Sequence, residues 1–216
     1  MACALHLDRL GKRFRYEWIY KDLSTTIGAG ERIALLGPNG SGKSTLMKTL
    51  SGQLSPSKGK LRHTVNGTDV PIDGIYRYLS YAAPYIELIE EFTLREAIDF
   101  HRKFKPLLSS LDTAAVIELL GFERSRNKEI RNFSSGMKQR LKLALACCTA
   151  SELLLLDEPT TNLDEQGVRW YRDLIERFGG FRTIIVASNV AVDYAFCDRR
   201  LSILDYKPAP KRRRAK

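Results

Sequence analysis

The sequence has no C-x-x-C pair, and its four cysteines, Cys3, Cys147, Cys148 and Cys197, stand at spacings that suit neither a zinc site nor a disulfide framework. Cys147 and Cys148 fall in a run that reads as helix, where adjacent side chains diverge. A secretory leader is missing too: Met-Ala-Cys-Ala-Leu-His-Leu-Asp is not a basic start followed by an apolar core. No apolar run approaches the roughly 20 residues needed to cross a bilayer. Together these absences point to a reducing, cytosolic setting. Histidine is scarce, with only His6, His63 and His101, and no heptad run is present.

What is present describes a globular chain. Its 216 residues, 44% hydrophobic and 28% charged, suit one compact domain carrying an inserted subdomain. Thirty-five Lys and Arg against 25 Asp and Glu give +10, a surplus that favours anionic partners. Six of those positive charges, Lys207, Lys211, Arg212, Arg213, Arg214 and Lys216, lie in the last ten residues. Without them the chain carries about +4, ordinary for a soluble domain. Residues 207–216 therefore read as a basic, disordered tail, either solubilising or drawn to an anionic membrane surface or nucleic acid.

Residues 4–10 alternate as a half-buried strand does, and 23–27 read as a continuation of an edge sheet. Residues 32–36 (RIALL) form a short apolar strand that enters a glycine-rich loop and then a helix. Between 53 and 82 the chain is polar and turn-rich, and Tyr76–Tyr81 reads as a strand. Residues 93–121 change to helical spacing, with Leu94, Ala97, Ile98 and His101 on one face and a second stretch capped by Asp112 and Gly121. Ser135–Thr149 reads as a helix and Leu153–Leu156 as a strand buried on both faces. Asp164 caps a further helix that ends at Gly179-Gly180, before the strand Thr183–Ala187. This alternation implies an α/β fold with parallel βαβ units.

Two motifs carry chemistry. Gly37-Pro38-Asn39-Gly40-Ser41-Gly42-Lys43-Ser44-Thr45 has the spacing of a phosphate-binding loop between a strand and a helix. Glycines let successive N–H groups turn toward phosphate oxygens, and the helix aims its positive end at the same point. Lys43 reaches the β- and γ-phosphates there, and Ser44 ligates Mg²⁺. The second motif places Asp157 and Glu158 at the end of the apolar strand, the edge where open α/β sheets bind ligands. Asp157 suits Mg²⁺ as a ligand, and Glu158 suits a base that takes a proton from attacking water.

With these in order, about residues 4–206 resemble the nucleotide-binding domain of ABC transporters. Phe133-Ser134-Ser135-Gly136-Met137-Lys138-Gln139-Arg140 resembles the family's signature motif, and Asn162-Leu163-Asp164 the loop that links its two sites. The resemblance implies a P-loop core with a mainly parallel central sheet, an N-terminal antiparallel β subdomain and a helical subdomain inserted at about 84–150, all within one domain over 1–206. It further implies ATP and Mg²⁺ as ligands, and a head-to-tail homodimer or heterodimer in which Ser134, Ser135 and Gly136 act on the partner's ATP. Phe14, or else Tyr16, stands where an aromatic stacks on adenine; core packing is the competing role.

Two residues depart from the family pattern. No Gln occurs in Tyr81-Ala82-Ala83-Pro84-Tyr85, and Ser188 takes the position of the switch His. The remaining site keeps Lys43, Ser44, Asp157 and Glu158, so slow hydrolysis with help from Ser188 or Asn189 is favoured over a switch that binds ATP with little turnover. A separate multispanning transmembrane subunit is implied, gripping Pro84–Phe92, with this chain on the cytoplasmic face of the membrane. A single cassette without a coiled coil argues against nucleic acid as the partner; a soluble ATPase serving a cytosolic assembly is the alternative.

Overall fold

The computed structural model describes residues 2–208, so the basic tail from 209 onward lies outside the described residues. Two sheets organise the chain. The first is antiparallel, ordered β2-β1-β4-β5, from β1 (Cys3–Phe14), β2 (Glu17–Ile27), β4 (Lys58–Val65) and β5 (Thr68–Val70). The second has five strands, ordered β6-β7-β8-β3-β9, from β3 (Arg32–Leu36), β6 (Leu79–Ala82), β7 (Leu153–Asp157), β8 (Thr183–Ala187) and β9 (Arg199–Ser202). Every pairing within this second sheet is parallel.

β7 and β8 are buried along their whole length, which explains why they read as unbroken apolar runs. Their side chains alternate between two cores. Leu154, Leu156, Ile184 and Val186 join the helices on one face. Leu153, Leu155, Ile185 and Ala187 join α1 (Lys43–Leu50) and the antiparallel sheet on the other. The helical layer comprises α2 (Leu94–Phe104), α3 (Thr113–Leu120), α4 (Ser135–Cys148) and α5 (Glu165–Phe178). α2 begins with a reciprocal capping box between Thr93 and Glu96, while α3 starts at Asp112 and stops at left-handed Gly121.

One expected element is shorter. Tyr76 and Arg77 belong to a 3₁₀ turn over Ile75–Arg77 that follows the Asp73-Gly74 bend, and strand pairing starts only at Leu79. The turn buries Ile75 and leaves Tyr76 and Arg77 exposed.

Arg182 clamps the helices behind the sheet. Its buried guanidinium donates to the carbonyls of Cys147 at 2.8 Å, Thr149 at 3.0 Å and Gly179 at 3.3 Å, and to that of Phe178. These carbonyls close the C-terminal ends of α4 and α5, where helix dipoles favour positive charge, so the cation is accommodated without a carboxylate partner. Arg182→Met keeps the apolar stem but removes every donor, and chemical denaturation is expected to show a loss of about 2–4 kcal/mol. An unchanged midpoint would mean that the carbonyls find other partners.

Candidate functional site

β3, β8 and β7 are neighbours and end at one level, where Leu35 pairs with Ala187 and Ala187 with Asp157. The loop after β3 therefore faces the acids after β7. Within it, Gly42 is left-handed at φ 103° as the N-cap of α1, and a Cβ there would stand 2.3 Å from Ile19 Cγ2. A side chain there would have to displace that of Ile19 and adopt a strained backbone. Lys43 is buried, with Nζ donating to the carbonyls of Gly37 at 2.7 Å and Pro38 at 3.3 Å, which sets the ammonium inside the loop. Ser41 Oγ is buried without a hydrogen-bond partner, whereas a Cβ on Gly40 would meet nothing within 4 Å.

Asp157 is buried. Its Oδ2 accepts from the Tyr85 hydroxyl at 2.9 Å, while Oδ1 has no hydrogen-bond partner. Burial pushes its pKa up, opposed by the nearby hydroxyls of Ser44 and Tyr85; the adjacent Glu158 adds to the rise and Lys43 resists it. Glu158 adopts φ 45°, a left-handed conformation that costs a non-glycine residue on the order of 1 kcal/mol or more. Its backbone N–H is held by the carbonyl of Ala187 at 2.8 Å. Among the described residues, the Glu158 carboxylate has no hydrogen-bond or salt-bridge partner.

The orphaned Oδ1 of Asp157 and the Ser44 hydroxyl, which neighbours the same carboxyl group, form an oxygen donor set that fits a hard cation such as Mg²⁺. Among the described residues, no group of three or more His, Cys, Asp or Glu forms a metal site. One carboxylate and one hydroxyl fit a cation whose other ligands are phosphate and water.

Ser188 lies at the same level but is committed elsewhere. Its buried hydroxyl donates to Asp193 Oδ2 at 2.5 Å and accepts from Val190 N at 3.0 Å. Asp193 also accepts from Thr160 Oγ1 at 2.6 Å, and burial, strengthened by the charge of Glu158, raises its pKa. Neither Asp193 nor Tyr85 was singled out from sequence as a site residue, because nothing in their spacing sets them apart. Asn189 does reach the glycine loop, donating to Asn39 Oδ1 at 2.9 Å.

Ser134 caps α4 through Met137 N at 3.2 Å, and Ser134, Ser135 and Gly136 share a cleft with Asn162, Leu163 and Asp164. A Cβ on Gly136 would stand 3.0 Å from the Asn162 carbonyl, so this backbone approach needs glycine. Phe14 and Tyr16 are 48% and 91% exposed, which removes core packing as the role of either ring. The Lys12 ammonium lies 5.2 Å from the Phe14 ring centre.

A glycine loop between a parallel strand and a helix, facing buried acids on a neighbouring strand, defines an ATP-binding domain of the P-loop class. The ABC transporter family model matches residues 20–161, and the chain belongs to that family. It is 35% identical over 206 residues to the Nod factor export ATP-binding protein I of Rhizobium johnstonii, covering 91% of this chain and 65% of that protein's length. It is 31% identical over 198 residues to the uncharacterized ABC transporter ATP-binding protein YybJ of Bacillus subtilis, covering 90% of this chain and 89% of YybJ. Among solved structures, a putative ABC transporter ATP-binding protein from Pyrococcus furiosus superposes with a TM-score of 0.79 at 22% identity, covering 95% and 100% of the two chains. The ATP-binding cassette MJ0796, a dimer bound to ADP and Pi, gives 0.78 at 19% identity over 92% and 93%. At these identities the structural likeness speaks for the fold.

The raised pKa of Asp157 has a stability consequence. The folded state holds that proton more tightly than the unfolded chain, so ionised Asp157 destabilises the free protein above its folded pKa; the penalty fades as pH falls through that value and is gone below the unfolded one. Without nucleotide or metal, Asp157→Asn should melt above wild type near pH 7, with the gap closing toward about pH 4. A variant that melts lower throughout would contradict the desolvation account.

Proposed function

We propose that this chain is the ATP-binding and ATP-hydrolysing subunit of an ABC transporter, working as a head-to-tail dimer around two Mg-ATP and driving a separate transmembrane subunit from the cytoplasmic face of the membrane. The observation that carries the proposal is the convergence of the Gly37–Thr45 loop with Asp157 and Glu158 at neighbouring strand ends.

In this reading the N–H groups of Gly40 through Thr45 and the Lys43 ammonium hold the triphosphate. Ser44 and Asp157 hold Mg²⁺, which when bound offsets charge developing on the phosphates. Glu158, unpartnered and fixed by its backbone, takes a proton from the water that attacks the γ-phosphorus as the bond to the bridging oxygen breaks. Ser188 acts through Asp193 and steadies the loop after β8, a weaker aid than an imidazole and a reason for slow turnover. Phe14 stacks on adenine. Ser134, Ser135 and Gly136 contact the ATP of the second subunit, as a capped helix start with free N–H groups can.

The segment after Tyr85 supports a membrane partner. Glu87, Ile89, Glu90 and Glu91 are exposed, and Lys142 and Lys138 of α4 hold the segment through the Pro84 carbonyl at 2.8 Å and Glu90 at 2.5 Å. Phe100 and Phe104, the latter 70% exposed, continue the surface. Such mixed aromatic, aliphatic and acidic faces suit docking. Among the described residues no helix is long and apolar enough to cross a membrane.

Glu158→Gln tests the catalytic assignment. Steady-state phosphate release is expected to fall by about 100-fold or more while ATP binding persists, and the variant with ATP should elute as a dimer. Equal rates for wild type and variant would remove Glu158 as the base, and a monomer under all conditions would argue against the closed pair.

A further inference from the structure

We infer that Tyr85 is a positioning residue for the divalent cation: its hydroxyl fixes one oxygen of Asp157 so that the other is presented to the metal. The inference rests on the Mg-ATP reading of the site. Tyr85 lies 72 residues before Asp157, in the loop leaving β6, on the stretch that carries no Gln. Its hydroxyl donates to Oδ2 at 2.9 Å, whereas Oδ1 is buried and unpartnered. Because Tyr85 gives its single proton to Asp157, its oxygen receives the proton of Tyr81, whose hydroxyl lies in short contact with it. The relay therefore runs one way, Tyr81 to Tyr85 to Asp157.

Three further contacts hold the phenol in place. The Tyr81 and Tyr85 rings meet edge to face with centroids 6.4 Å apart, the Lys48 ammonium of α1 sits 4.2 Å from the centre of the Tyr85 ring, and Ser44 stands beside both Tyr85 and Asp157. Lys48 and Ser44 belong to the same short helix, so the ring is gripped by the element that also carries one of the two metal-binding oxygens. A carboxylate pinned at one oxygen loses rotational freedom, and the free oxygen needs no reordering when a cation arrives. A phenol does this without offering a competing negative charge.

Tyr85→Phe removes only the hydroxyl and keeps the ring over Lys48. The test measures the affinity of a ribose-labelled, non-hydrolysable ATP analogue, once in EDTA and once with Mg²⁺ in excess of nucleotide. Affinity in EDTA should match wild type, which also reports that the variant is folded, while the tightening that Mg²⁺ confers should shrink by about 10-fold or more. A variant with the wild-type Mg²⁺ gain or a larger one would overturn the role of Tyr85, as would wild-type binding indifferent to Mg²⁺. Wild type that binds the analogue in neither condition would instead contradict the ATP site itself.

Discussion

Opposite charges are brought face to face at the carboxyl ends of three parallel strands, and most of the surrounding structure serves to hold them there. On one side, the loop after β3 gathers backbone N–H groups, the positive end of α1 and the buried Lys43 ammonium. On the other, β7 delivers the Asp157 carboxylate into the protein and Glu158 beside it. Burying either set alone is costly, and the raised pKa of Asp157 is the mark of that cost. A phosphate chain with a divalent cation between the two sides satisfies both at once, which is why this place, among the clefts of the molecule, is the one built around a polyanion.

The strain at Glu158 persists because its neighbours are over-determined. The Pro159 carbonyl accepts from Gln139 Nε2 at 2.8 Å, tying the backbone after Glu158 to α4. Thr160 and Ser188 converge on Asp193, whose own carbonyl accepts from the buried Tyr171 of α5 at 2.8 Å. Asn162 is left-handed at φ 66° and packs its carbonyl against Gly136. The start of α4, the end of β7 and the loop after β8 thus form one hydrogen-bonded body, with Arg182 closing its far end. The start of α4 and the backbone around Glu158 are therefore joined through a few direct contacts.

Much of this was legible from sequence because it is local. The loop spacing, the four consecutive leucines of β7 and the caps at Asp112 and Asp164 each express a short-range physical rule, and each element is where that rule places it. What sequence could not supply is tertiary. Tyr85 reaches Asp157 across 72 residues, and Asp193 lies in a 3₁₀ turn that no periodicity marks. Ser188 was readable as the residue in the histidine's position, but not as one whose hydroxyl is already taken. The Tyr76–Tyr81 reading holds for residues 79–81 and is too long at its start, where the Asp73-Gly74 bend leads into a 3₁₀ turn.

Amide hydrogen exchange with and without Mg-ATP reads the backbone donors of the glycine loop themselves. The expected result is strong slowing at the amides of residues 40–45, with protection at 134–137 appearing only at concentrations where the protein pairs. Unchanged exchange across 40–45 in saturating Mg-ATP would contradict the account.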